Sequence, residues 1–105
     1  MLKIKLKIMK GIFIAFDQAH REEVISGLNS CLQHGFTLFP EAWGRGTNGG
    51  EPHYGSHAWP GQNSAIFTVC PDDRVDAILE RLSKIDKERP QLGLRAFVVP
   101  VEQVI

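Results

Sequence analysis

Leu2, Ile4, Leu6 and Ile8 alternate with Lys3, Lys5 and Lys7, the period of a strand with one wet face. After Gly11 the run Ile12, Phe13, Ile14, Ala15, Phe16 is apolar on both faces, as in a central strand. The pattern predicts one long strand, or two pieces split near Gly11. Asp17 suits an N-cap. Val24, Ile25, Leu28, Cys31 and Leu32 then recur at helical spacing, with Arg21, Glu22 and Glu23 near the start. Gly35 is expected to end that helix at its C′ position. Residues 36–43 read as a strand in which Pro40 marks a sheet edge or a bulge. Residues 65–70 are strand-like again. Pro71, Asp72 and Asp73 open a second helix with Val75, Ile78, Leu79, Leu82 and Ile85 on one face, Pro90 ends it, and residues 94–101 form the last strand.

The order is β-α-β-loop-β-α-β. It predicts an α+β, ferredoxin-like arrangement: a four-stranded antiparallel sheet with both helices on one face. Apolar strand residues on the other face ask for a second cover. For a chain of 105 residues, one domain over residues 1–105, self-association is the simplest way to supply it.

The break in the pattern is residues 44–61, which hold six of the ten glycines. Within it, Glu51, Pro52, His53, Tyr54, Gly55, Ser56, His57, Ala58, Trp59, Pro60 and Gly61 put two histidines, the only tyrosine and one of two tryptophans on a stretch whose glycines and prolines disfavour helix and strand alike. A loop of this length and content is a metal site, a ligand lid or a docking surface. His53 and His57 would aim at one metal on a helix; extended, they stand about 13 Å apart, so only a folded loop joins them. Glu51 adds an oxygen donor, and imidazole with carboxylate suits zinc, copper or nickel. The alternative is a pair of solvated loop histidines. Trp59, held extended before Pro60, would stack on a base or anchor an interface between copies. Trp43 would stack on a ligand or plug the core.

Composition narrows the classes. Twelve basic and twelve acidic residues cancel, so no global field draws the chain to nucleic acid or an anionic membrane. Cys31 and Cys70 form neither a disulfide framework nor a Cys-x-x-Cys pair. They read as buried thiols of a reducing cytoplasm. Lysines interrupt the N-terminal apolar run and no small-residue cleavage site follows it, against a signal peptide. No segment reaches the roughly 18 apolar residues of a membrane span. Nothing pairs a nucleophile with a base: Ser56 beside His57 lacks an elbow, and Asp72 and Asp73 fit helix N-terminal charges better than catalytic acids. The expectation is a protein that is not an enzyme.

Several strings resemble those of PII signal-transduction proteins, the nitrogen regulatory protein P-II superfamily. Val69-Cys70-Pro71-Asp72-Asp73-Arg74-Val75-Asp76 resembles its strand-to-helix step. Ala96-Phe97-Val98-Val99-Pro100-Val101-Glu102 resembles its last strand, Gly35-Phe36-Thr37 its Gly-x-Thr, and Trp43-Gly44-Arg45 the Phe-Gly-Arg at the base of its T-loop. The resemblance implies a homotrimer, effector sites between subunits, and a T-loop at residues 44–61. It also implies a regulator that signals to a partner protein or transporter. It assigns Gly35, Thr37, Gly44, Arg45 and Arg95 to the effector, and Tyr54 and Trp59 to partner docking. Where the family has Gly-x-Gly-Asp-Gly-Lys to hold phosphates, this chain has Pro90-Gln91-Leu92-Gly93-Leu94-Arg95, with Arg95 in place of the lysine charge. The family's acidic residue on the third strand falls at or near Phe67, and its basic C-terminal segment has no counterpart before Ile105. The expected effector is thus an adenine nucleotide with fewer phosphates, bicarbonate or a metal ion. The alternative is a CutA-like trimer that binds a divalent cation through His53, His57 and Glu51.

Overall fold

The computed structural model describes residues 8–45, 52–53 and 63–105. Its strands and helices are β1 (Met9–Asp17), α1 (Arg21–Ser30), β2 (Thr37–Ala42), β3 (Gly44–Arg45), β4 (Pro52–His53), β5 (Asn63–Pro71), α2 (Val75–Glu88) and β6 (Leu94–Val101). Four of the strands form an antiparallel sheet in the order β2-β5-β1-β6. The long apolar runs take the two central places, as a strand buried on both faces should. The ferredoxin-like expectation holds.

β1 runs straight through Gly11, so the strand is not split there; Leu2, Ile4 and Leu6 lie outside the described residues. Gly11 has another reason. A Cβ on it would sit 2.7 Å from Phe67 Cζ, so the missing side chain makes room for that ring over the β1 backbone.

On the helix-covered face, Ile12, Ile14, Phe16, Ile66, Cys70 and Leu94 meet Val24 and Leu28 of α1 and Ile78, Leu82 and Ile85 of α2. Asp17 caps the turn that leads into α1: its Oδ1 accepts from the Ala19 amide at 2.9 Å. α1 does not end at Gly35. It ends at Ser30, and Leu32 takes the left-handed conformation, φ 62°. The amides of Leu32 and Gln33 donate to the carbonyls of Asn29 (3.0 Å) and Leu28 (2.9 Å), the paired bonds of a Schellman end. Those two bonds hold a leucine where glycine is the usual residue. Of the two thiols, Cys70 is buried while Cys31 is only half-buried, with Sγ 3.7 Å from Ala77 O. Burial pushes the Cys70 thiol pKa up.

β2 is an edge strand and also carries the bulge that Pro40 foretold: three steps from Phe39 to Ala42 match two from Ala65 to Asn63 on β5. Arg21 Nη2 donates to Pro40 O and Ser64 Oγ, both at 3.0 Å, and Ser64 Oγ donates to Pro40 O at 2.7 Å. The bulge is therefore fixed from below by the first residue of α1.

Residues 52–53 correct the expectation that residues 51–61 contain no strand. Pro52–His53 pairs with Gly44–Arg45 as a two-stranded ribbon, Gly44 opposite His53 and Arg45 opposite Pro52. Proline at the first position of a short edge strand leaves the ladder intact.

Candidate functional site

The segment that joins α1 to β2 holds the first group of expected site residues. Residues 33–36 belong to no helix or strand, so side chains must hold them. Gln33, 5% exposed, does so. Its Nε2 donates to Thr68 Oγ1 at 2.7 Å and to Val69 O at 2.9 Å. The Thr68 hydroxyl passes the connection on by donating to Gly35 O at 2.6 Å. On the other side, Arg74 Nη1 donates to Gln33 Oε1 at 3.1 Å and to Leu32 O at 3.0 Å. One buried amide thus ties the chain reversal after α1 to β5 and to the entry of α2. The pattern of the sequence carries a faint mark of this in Thr68 alone, which is polar between Ile66 and Cys70 on the buried face of β5.

Above this floor lies a shallow cleft of about 340 Å³, walled by Gly35, Phe36, Thr37, Phe67 and Val69. None of its walls carries a charge. Gly35 is notable because nothing among the described residues requires it to be glycine: a Cβ there would meet none of them within 4 Å, and its φ is not in the left-handed region.

The second group sits at the base of the long loop. The β3–β4 register puts Gly44, an expected effector residue, directly across from His53, an expected metal ligand, with Arg45 beside them opposite Pro52. Glu51, Tyr54, His57 and Trp59 lie outside the described residues. Among the described residues, no three of His, Cys, Asp and Glu gather as a metal site. Trp43 is 71% exposed, which corrects the option that it plugs the core.

Arg95 stands apart from both groups. It lies on β6, the sheet edge opposite β2, just after a Pro90–Leu92 turn closed by Gly93 at φ 76°. This turn has one glycine in the left-handed region rather than a string of glycines. Arg95 is paired with Ala15 of β1, whereas Thr37 belongs to the row through Phe67, Phe13 and Phe97. Three strand spacings separate β2 from β6, about 14 Å. One chain therefore cannot bring Thr37 and Arg95 to one small ligand.

His20 is a further buried polar group without a motif to announce it. It is fully buried, its Nδ1 is 3.6 Å from Glu23 Oε1, and neither ring nitrogen has a hydrogen-bond partner among the described residues.

A model of the nitrogen regulatory protein P-II family matches residues 9–105, nearly the whole chain. The chain belongs to the P-II family. The resemblance of the short strings was therefore sound. No curated protein matches the sequence. Among solved structures, the chain is similar to CPII from Thiomonas intermedia K12, bound to ADP and bicarbonate: 22% identity, TM-score 0.73, covering 94% of this chain and 91% of that one. A PII-like signaling protein from Thermus thermophilus matches at 21% identity and TM-score 0.66, covering 93% and 91%. A DUF3240 family protein from Shewanella baltica matches at only 13% identity but with TM-score 0.72, covering 94% and 96%. At such identities the likeness speaks to the P-II fold, not to the ligand. No helix among the described residues is long and apolar enough to cross a membrane.

Proposed function

We propose that this P-II protein is a regulator that binds an adenine nucleotide or another small anion between subunits of a homotrimer and signals to a partner protein or transporter through residues 44–61. The observation that carries the reading is the separation of the expected effector residues. Gly35 and Thr37 flank one edge of the sheet and Arg95 the other. They can converge on one ligand only if the β2 edge of one copy faces the β6 edge of the next. The uncharged cleft at Gly35 and Thr37 suits a flat base, while Arg95 and Arg45 supply the cations for phosphate or bicarbonate. The single-glycine turn at Gly93 agrees with an anion smaller than a triphosphate. CPII, of the same fold, has been solved with ADP and bicarbonate and with ADP, AMP and bicarbonate.

Signalling requires that the effector bind one state of residues 44–61 better than the others. Gly44 and Arg45 belong both to the base of that segment and to the effector set, so contact with the ligand and the start of the loop are the same residues. Tyr54 and Trp59 are the side chains a partner would read.

Melting the protein with AMP, ADP, ATP and bicarbonate, singly and together, tests this. A ligand at 100 times its dissociation constant adds about 2.7 kcal/mol to the folded state. Arg95→Ala should lose the upward shift in melting temperature while its ligand-free melting stays near the wild type, because Arg95 is exposed. A wild-type protein that responds to none of these ligands would sink the proposal.

A further inference from the structure

We infer that Gln33 and Thr68 are positioning residues: their buried polar contact, backed by Arg74, holds residues 35–37 in the shape that receives the effector. This rests on the cleft reading just given. A buried amide beside a buried hydroxyl brings a fold little net stability, because their hydrogen bonds mostly offset what both groups lose on leaving water. Replacing such a pair by apolar groups of similar shape is often neutral. Apolar residues at both positions would merge with Ile66 and Cys70 on the same face of β5. What the polar pair supplies instead is direction. Gln33 places its amide on Thr68 and Val69, Thr68 turns its hydroxyl onto Gly35 O, and Arg74 fixes Gln33 Oε1 and the Leu32 carbonyl together.

Residues 33–36 need that direction. They lie outside every helix and strand, they follow a leucine in the left-handed region, and no described residue fills the space where a Gly35 side chain would pack. Phe36 packs against the core beside it, but Gly35 has no side chain to pack, so the hydrogen bond from Thr68 sets the direction of its carbonyl. A cleft wall held in place before the ligand arrives loses less conformational freedom on binding.

The test compares Thr68→Ser, which keeps the hydroxyl, with Thr68→Val and with the double variant Gln33→Leu/Thr68→Val, which removes donor and acceptor together. Melting, AMP and ADP affinity, and hydrogen exchange at residues 35–37 are measured for each. Thr68→Ser is expected to bind like the wild type. The double variant leaves Val69 O, Gly35 O and Arg74 without these partners, so it is expected to melt below the wild type while staying folded, to lose about tenfold in nucleotide affinity and to exchange the amides of residues 35–37 faster. Wild-type affinity in the double variant would overturn the inference, as would an equal loss in Thr68→Ser and Thr68→Val. If the wild type itself takes up neither nucleotide, the effector reading fails. The exchange data then decide alone: faster exchange in the double variant but not in Thr68→Ser upholds the positioning, and unchanged exchange refutes it.

Discussion

The two faces of the sheet are made by the same strands and differ only in what covers them. On one face Ile12, Ile14, Phe16 and Ile66 are within 1% of complete burial beneath α1 and α2. On the other, Phe67, Phe13 and Phe97 stand side by side on β5, β1 and β6 in one register row. Phe13, Phe39, Phe97 and Val99 there are 39–51% exposed. The two faces of β1 are thus both apolar around Ile12, Phe13 and Ile14, yet among the described residues nothing covers Phe13 as the helices cover its neighbours. The helix face is complete within one copy. In the proposed homotrimer the open face is half of an interface, with Thr37 and Arg95 at its two edges. Stability should therefore respond to the first face at any concentration, while assembly and ligand binding should respond to the second.

The largest effect is expected on the helix face. Ile14 is fully buried between the central strand and the helices. Ile14→Ala removes three carbons from a close-packed site and should cost about 3 kcal/mol of unfolding free energy. Denaturant titration would show it as a lower midpoint at every protein concentration. A loss that vanished at high concentration would mean that the helix face, too, depends on assembly, and the contrast between the faces would collapse.

Next comes Phe97→Asp on the open face. Its ring is 51% exposed in one chain, so a monomer should tolerate the change, whereas a carboxylate placed among phenylalanine rings at an interface should not be tolerated. Light scattering is expected to give a trimer for the wild type and a monomer for the variant, with the circular dichroism of the fold retained. Nucleotide response should disappear with the trimer. A variant that remains trimeric would place the interface elsewhere and leave the separation of Thr37 and Arg95 without an explanation.

The helix face was also the more legible half in the sequence. Alternation and helical spacing picked out Ile12, Phe16, Val24, Leu28, Ile78, Leu82 and Ile85, and the bounds of β6 fell at residues 94–101 as read, because Gly93 and the apolar run mark them. The misreadings are local and physical. Leu32 adopts a conformation that propensity assigns to glycine, which moved the end of α1 three residues past its proper place. The β3–β4 ribbon escaped because Pro52 argues against a strand unless its partner is known. The site was less legible still. Motifs named Thr37 and Arg95, but only the strand order β2-β5-β1-β6 separates them onto opposite edges. Gln33 and Thr68 are 35 residues apart and carry no motif; their contact exists only after β2 and β5 have paired.

The smallest effect sets two neighbouring positions against each other. Leu32, 66% exposed, sits in the left-handed region where a side chain is strained by roughly 1 kcal/mol. Leu32→Gly should recover about that much stability, less the greater freedom that glycine gives the unfolded chain. Three residues on, Gly35 has open space around it and no left-handed φ, so Gly35→Ala should stabilise the chain by about 0.5 kcal/mol through the unfolded state. On stability alone, both substitutions are neutral to favourable. They should part on binding. Leu32 closes a helix on the covered side, and its replacement should leave nucleotide affinity as it is. Gly35 borders the cleft with Phe67 and Val69, where an added methyl occupies space that no described residue fills. A Gly35→Ala protein that melts like the wild type, or higher, but no longer shifts with AMP or ADP shows that glycine is kept there for what approaches from outside. If it still binds, Gly35 is an ordinary loop residue, and the uncharged end of the effector site must be sought elsewhere on the open face.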